Sequence, residues 1–237
     1  MQLFYTTDIQ GDLAYFNEVE ARHIVQVLRH QVGDLLHFVD GHGTLFRGRI
    51  VEARKKSCAL SILHRESAYK QRSFVLHVAI APPKNTGRFE WFLEKATELG
   101  SDRIIPLHCE RSERSRLRLE RLEKVLLAAM KQSLRATLPQ LQPLTPFDRL
   151  LGQPDLPTER LIAHCAEGEK RPLGETYRPG QDVIILIGPD GDFSPAEIDA
   201  AHQRGFRATS LGPSRLRTET AALTACTILN YLNQTPA

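Results

Sequence analysis

No stretch of this sequence reaches about eighteen consecutive apolar residues, so a membrane-spanning helix is not expected. The opening residues, Met1-Gln2-Leu3-Phe4-Tyr5-Thr6-Thr7-Asp8, carry no basic run followed by an apolar one, and no secretory signal is expected. Cysteine is scarce. Cys58, Cys109, Cys165 and Cys226 stand far apart with no C-x-x-C pair, which argues against a disulfide framework or a zinc knuckle and for reduced thiols in a cytoplasmic protein. Nucleotide-binding glycine signatures are missing, since neither G-x-G-x-x-G nor G-x-x-x-x-G-K-[ST] occurs. Asp190-Gly191-Asp192 opens like a calcium loop, but Pro195 holds the place of that loop's required glycine. Nor is either charge in large excess. The 31 Lys and Arg against 28 Asp and Glu give +3, which permits an RNA partner without requiring one.

What is present reads as a globular chain. With 41% hydrophobic and 25% charged residues over 237 positions, it can bury the core of one large or two modest domains. Asn17-Glu18-Val19-Glu20 has capping-box spacing, and Val19, His23, Ile24, Val27 and Leu28 then share one face of a short helix ending near Arg29-His30. From Gly33 to Leu63 the period changes to that of a strand meander. Residues 1–72 are therefore expected to form a small β-barrel with one helix. Within it Arg47, Arg49, Arg54, Lys55 and Lys56 face a single acid, Glu52, and suit either a solvated, charge-protected edge or a phosphate-contacting face.

Beyond the polar joint Tyr69-Lys70-Gln71-Arg72-Ser73, strand runs alternate with helical ones. Strands are expected at 74–81, 104–107, 161–165, 183–187 and 206–211. Helices are expected at 88–99, closed by Gly100, from about 117 to 134, and over the short piece 147–151. That alternation argues for a parallel sheet covered by helices over residues 73–237. Arg111, Arg114 and Arg116 precede the second long helix and are loop candidates for RNA phosphates.

Two strand exits stand out. The apolar run Val183 to Ile187 leads into Gly188-Pro189-Asp190-Gly191-Asp192-Phe193, and Ser194-Pro195-Ala196-Glu197 is a capping box with proline first. Near the C-terminus Leu211-Gly212-Pro213-Ser214-Arg215-Leu216-Arg217-Thr218-Glu219-Thr220-Ala221 joins a strand to an apolar helix. It carries charges that cost several kcal/mol beside a core unless paired or used. In open α/β sheets such turns gather at the carboxyl edge, where ligands bind.

These paired stretches resemble the signature of the ribosomal RNA small-subunit methyltransferase E family of the SPOUT superfamily. Lys95-Ala96-Thr97-Glu98-Leu99-Gly100, Ile105-Pro106-Leu107 with Glu110-Arg111-Ser112, Gln132-Ser133 with Arg135, and Leu28-Arg29-His30 with Gly33-Asp34 follow the family's order, so the likeness spans nearly the whole chain. The resemblance implies a SPOUT-type parallel sheet with a C-terminal trefoil knot and an N-terminal PUA-like β-barrel. It implies an S-adenosylmethionine-dependent enzyme methylating N3 of a uridine in small-subunit (16S) ribosomal RNA, with free RNA or the assembled small subunit as partner. A homodimer in the cytoplasm, with no membrane and no metal, belongs to the same picture. The cofactor would be held by His164, Cys165 and Ala166, by Ile187, Gly188, Pro189 and Gly191, and by Leu211, Gly212, Leu216 and Thr218. RNA would be gripped by Arg29, Arg47, Arg49, Lys55, Lys56, Arg111 and Arg114. The chain departs from the family's usual pattern in three places. Asp190-Gly191-Asp192 stands for Glu-Gly-Gly, Ser214 for an arginine, and Lys131 for an acid.

Methylation at uracil N3 needs help in removing its proton, from a base or from a cation that favours the uracil anion. Arg217 is the candidate cation and Glu219 the candidate base, although an acid there is also a common helix cap. The residues alone leave open a non-catalytic RNA-binding ribosome-assembly protein, or methyl transfer to another RNA atom such as a ribose 2′-oxygen.

Overall fold

The computed structural model describes residues 1–234. They divide into two compact units, residues 1–71 with 127–138, and residues 72–126 with those from 139 onward. A division at 72/73 does not anticipate the grouping of 127–138. Leu127, Met130, Leu134, Ala136 and Leu138 account for it by completing an apolar cluster with Leu3, Val39 and Leu45.

In the first unit, β1 (Leu3–Tyr5), β2 (Asp8–Gln10), β3 (Leu13–Phe16), β4 (Leu35–Val39), β5 (Leu45–Ala53) and β6 (Cys58–Glu66) form one sheet. Its order is β1-β4-β5-β6-β3-β2, antiparallel except for the parallel pair β1 and β4. Thr6 joins the two ends. Its N–H donates to Val39 O at 3.2 Å and its hydroxyl donates to Tyr15 O, which curls the sheet toward a barrel. Along β5, Phe46, Gly48 and Ile50 turn inward while Arg47, Arg49 and Val51 turn outward, the two-residue period of a strand with one face in a core. Gly48 has no room for a side chain, since a Cβ there would stand 3.0 Å from Ser61 O.

The helix of this unit differs from expectation. α1 (Glu18–Arg22) is capped by Asn17, whose Oδ1 accepts the Glu20 N–H at 2.9 Å, but it passes directly into a π-helical turn, His23–Val27. The wider pitch rotates the inward face. Ala21 and Ile24 are buried, whereas Val19 and Val27, inward by α-helical spacing, are exposed. Glu20 does not complete a capping box either. Its buried carboxylate lies 2.5 Å from Lys131 Nζ, which gives the unusual lysine at 131 a specific partner.

From residue 72 onward the elements are β7 (Leu76–Ile80), α2 (Thr86–Leu99), β8 (Arg103–His108), α3 (Leu119–Gln132), β9 (Gln140–Leu141), β10 (Thr145–Pro146) and α4 (Phe147–Leu151). Then follow β11 (Glu159–Ala163), β12 (Arg171–Pro172), α5 (Leu173–Thr176), β13 (Val183–Ile187), α6 (Pro195–Gln203), β14 (Arg207–Ser210) and α7 (Thr218–Leu232). The sheet runs β10-β8-β7-β13-β11-β14-β12 with β9 beside β8, and every pairing is parallel. All residues of β7 and β13 are buried, as parallel strands covered on both faces require. Gly100, left-handed at φ 88°, closes α2, and Ser194 with Glu197 forms the full capping box that starts α6. β14 lies beside β11 rather than beside β13, which precedes it in the chain. That order is compatible with the trefoil knot the resemblance implies. α7 packs on α2 and α5 through buried Ala222, Ala225, Cys226 and Leu229.

Candidate active site

The carboxyl ends of β11, β13 and β14 open on a cavity of about 900 Å³. The exit of β11 contributes His164, Cys165 and Ala166. Behind Ile187, the exit of β13 contributes Gly188, Pro189, Asp190 and Asp192, and the exit of β14 contributes every residue from Leu211 to Thr218. Gly212 adopts φ 128°, and a Cβ there would project into open space, so its backbone leaves room that a side chain would fill.

Side-chain bonds tie these loops together. Asp192 sits at φ 64°; one carboxylate oxygen accepts the Cys165 N–H at 2.8 Å and the other accepts its neighbour Phe193 N–H at 2.9 Å. The Thr218 hydroxyl oxygen lies 3.1 Å from Gly188 O and 3.3 Å from Asp190 Oδ1, joining the β13 exit to the start of α7. Arg111 donates to Gly191 O at 2.8 Å, so the arginine segment after β8 also holds the β13 loop.

Four cations line the cavity, Arg111, Lys170, Arg215 and Arg217, against the two carboxylates of Asp190 and Asp192. Lys170 donates to Ala166 O, and Arg217 is exposed at the N-cap of α7. Among the described residues neither ring nitrogen of His164 has a hydrogen-bond partner. Burial, and then the charge of Lys170, hold its pKa below the ordinary imidazole value despite the opposing pull of Asp192, so it stands neutral in the wall.

Most residues expected to hold the cofactor thus lie around one cavity. Gly191 does not line it; its carbonyl accepts from Arg111. Glu219 does not line it either. Its side chain is only 8% exposed, Oε1 lies 3.7 Å from Arg88 Nε, and Oε2 has no hydrogen-bond partner among the described residues. Of the residues expected to meet RNA, Arg111 stands at the cavity, while Arg114 donates to the carbonyls of Pro83 and Lys84. Arg29, Arg47, Arg49, Lys55 and Lys56 are exposed on the first unit; Arg47 and Arg49 share the outer face of β5, and Lys56 lies 3.6 Å from Glu18.

Sequence reasoning did not single out Lys170, Asp190, Asp192 or Arg215 as site residues, nor Arg88 as the partner of Glu219. The signal for the two aspartates was the charge they add to a glycine turn; for Arg88 there was none, since it meets Glu219 only through the fold. Among the described residues no three His, Cys, Asp or Glu side chains gather as a metal site, and no helix is long and apolar enough to cross a membrane.

Comparison with known proteins agrees with this architecture. A model of the RNA methyltransferase domain matches residues 70–230, and one of the RNA methyltransferase PUA domain matches residues 16–63. A ribosomal RNA small subunit methyltransferase E of Mycobacterium tuberculosis is 30% identical over 240 residues, 94% of this chain and 88% of its own length. A probable rRNA-methyltransferase from Porphyromonas gingivalis superposes with a TM-score of 0.91 at 43% identity over 98% of both chains. The ribosomal RNA small subunit methyltransferase E from Neisseria gonorrhoeae, solved bound to S-adenosyl methionine, does so with a TM-score of 0.87 at 26% identity over 98% of both chains. With its parallel-sheet domain, its PUA domain and its cavity at three strand exits, the chain belongs to the ribosomal RNA small subunit methyltransferase E family of RNA methyltransferases.

Proposed function

We propose that this protein uses S-adenosylmethionine to methylate N3 of a uridine in small-subunit ribosomal RNA, acting in the cytoplasm on the free RNA or on the assembled subunit. The observation that carries the reading is the cavity formed jointly by the exits of β11, β13 and β14. Its residues fit the cofactor. About 900 Å³ suits a ligand of that size, and main-chain groups at the strand exits would take adenine and ribose. The open space beside Gly212 leaves room for it, and the cations Lys170 and Arg215 match the ligand's carboxylate. When bound, the cofactor supplies an electrophilic methyl on sulfur.

The chain's own task is to orient uracil and to favour its N3 anion. Arg217 is exposed in the cavity and carries the charge to bind O2 or O4 as that anion develops. The first unit is the RNA-gripping module in this reading, through Arg29, Arg47, Arg49, Lys55 and Lys56, and residues 73–237 are the methyltransferase domain. Assembly as a homodimer through α7, whose Tyr231 is 71% exposed, completes the reading. Light scattering on the purified protein tests the dimer.

Nucleoside mass spectrometry of small-subunit RNA from cells with and without the gene tests the reaction. N3-methyluridine should disappear with the gene and return when purified protein and cofactor are added. Loss of a ribose 2′-O-methyl mark instead, or no change, refutes the assignment.

A further inference from the structure

We propose that Asp190 is the catalytic base that takes the proton from uracil N3, an assignment that rests on the reaction proposed above. The groups that accept protons in their ordinary neutral-pH form are carboxylates and imidazole, and the cavity presents three of them, Asp190, Asp192 and His164. Both oxygens of Asp192 are engaged by backbone N–H groups, and they hold a loop in place. The ring nitrogens of His164 have essentially no exposed surface, so a base entering from solvent does not reach them. Glu219 does not line the cavity, and its buried carboxylate lies beside Arg88.

Asp190 is different on each count. It is exposed, it lines the cavity, and among the described residues it forms no ion pair. Its Oδ1 lies 3.3 Å from the Thr218 hydroxyl, which leaves Oδ2 for a substrate. Thr218 follows Arg217 directly in the chain. The Thr218 hydroxyl, shared between Gly188 O and Asp190 Oδ1, ties the acid to the start of α7, and Asp190 and Arg217 line the same cavity, which supplies what N3 chemistry needs: a base for the proton and a positive group for the oxygens. The backbone at 190 is also fixed from behind, because Asp192 N–H donates to Pro189 O at 2.9 Å and Arg111 holds Gly191 O.

The step balances. The N3–H bond breaks with its electron pair left on N3, and the proton bonds to Asp190 Oδ2. The pair on N3 then forms the bond to the incoming methyl, while the electrons of the sulfur–methyl bond remain on sulfur. One negative and one positive charge cancel, and the proton passes later to water.

The test uses the full-length protein, S-adenosylmethionine and small-subunit RNA under single-turnover conditions, with cofactor affinity measured separately by calorimetry. Asp190→Asn should lower the rate by about 10²-fold or more while leaving cofactor affinity within a few-fold. The residual rate should climb with pH, because only uracil already ionised in solution still reacts. RNA carrying 5-fluorouridine at the target, whose N3–H is more acidic, should rescue Asp190→Asn more than it speeds the wild type. Asp190→Glu, which keeps a carboxylate, should recover part of the rate. A folded Asp190→Asn protein with wild-type rate and pH profile overturns the assignment. So does one whose activity falls only in step with lost cofactor binding, or one that 5-fluorouridine does not rescue. If the wild type makes no N3-methyluridine at all, the reaction itself was misread and this assignment falls with it.

Discussion

Asp192 adopts a left-handed backbone at φ 64° and accepts the Cys165 N–H at 2.8 Å, so one carboxylate joins the exits of β11 and β13. A glycine here, as the resembling family's pattern implies, would suit the backbone but offer no side chain. Here the chain accepts a strained conformation, costing about 1 kcal/mol for a non-glycine residue, and gains a charge-assisted bond of about 1.5–3 kcal/mol. Asp192→Ala should therefore free the 164–166 loop and weaken S-adenosylmethionine binding about tenfold. Calorimetry on the variant checks this, and unchanged affinity would assign Asp192 to folding alone.

Arg217 is exposed at the cavity, and the ion pair of Glu219 is with Arg88. Removing the Arg217 guanidinium should leave the protein stable to within about 0.5 kcal/mol, as for other exposed positions. Single-turnover methylation should fall by about 10²-fold with little change in cofactor affinity, the signature of a contact that strengthens as the anion forms. A melting temperature that drops in proportion to activity would point to a structural role.

Glu219 and Arg88 form the complementary case. Glu219→Gln should leave the rate within about threefold, because its carboxylate does not reach the cavity. Arg88→Ala leaves that buried carboxylate without its cation and should destabilise the fold by about 1–2 kcal/mol, a figure reduced because Arg88 is 39% exposed. Thermal unfolding of both variants checks the pair; a large rate loss in a stable Glu219→Gln protein would return Glu219 to the chemistry.

These cases show where the sequence was legible. The capping box at Ser194, the closing Gly100 and the apolar strands 183–187 and 76–80 are local signals, so the parallel sheet and the positions of its loops could be read from spacing. The partners of charged residues could not. Glu219 meets Arg88 across 131 positions of sequence and Lys131 meets Glu20 across 111, and no pattern within one helix announces either pair. The π-helical turn at 23–27 was hidden for a related reason, since Val19 and Val27 match an α-helical stripe that the wider pitch turns to solvent.

On the first unit, Arg47 and Arg49 project from the outer face of β5, each exposed and each a possible partner for one phosphate. Replacing both with alanine should weaken RNA binding and make the log–log salt slope shallower by about 1.5, at 0.7–0.9 per lost contact. Cofactor affinity should not move. A salt slope equal to that of the wild type would mean that this face only solvates the barrel.

His77 gives the fold a defined response to acid. It is buried in β7, and among the described residues its Nδ1 has no hydrogen-bond partner; burial, and then the charge of Arg103, push its pKa down to about 4 despite Asp155 and Asp182. In the unfolded chain it titrates near the ordinary imidazole value of about 6.5. Between these two values the unfolded state binds a proton that the folded state refuses, so stability rises with pH across that interval. The contribution of neutral His77 is fully present above about pH 6.5 and is lost as pH falls toward 4, a total of up to about 3 kcal/mol. His77→Phe keeps a ring and removes the titration. Its unfolding free energy should change less than the wild type's between pH 7 and pH 4, by up to that amount, while other acid-sensitive groups shared by both proteins cancel in the comparison. Denaturant unfolding at half-unit pH steps measures the difference, and parallel curves for the two proteins would show that His77 accepts its proton as readily in the folded chain as in the unfolded one.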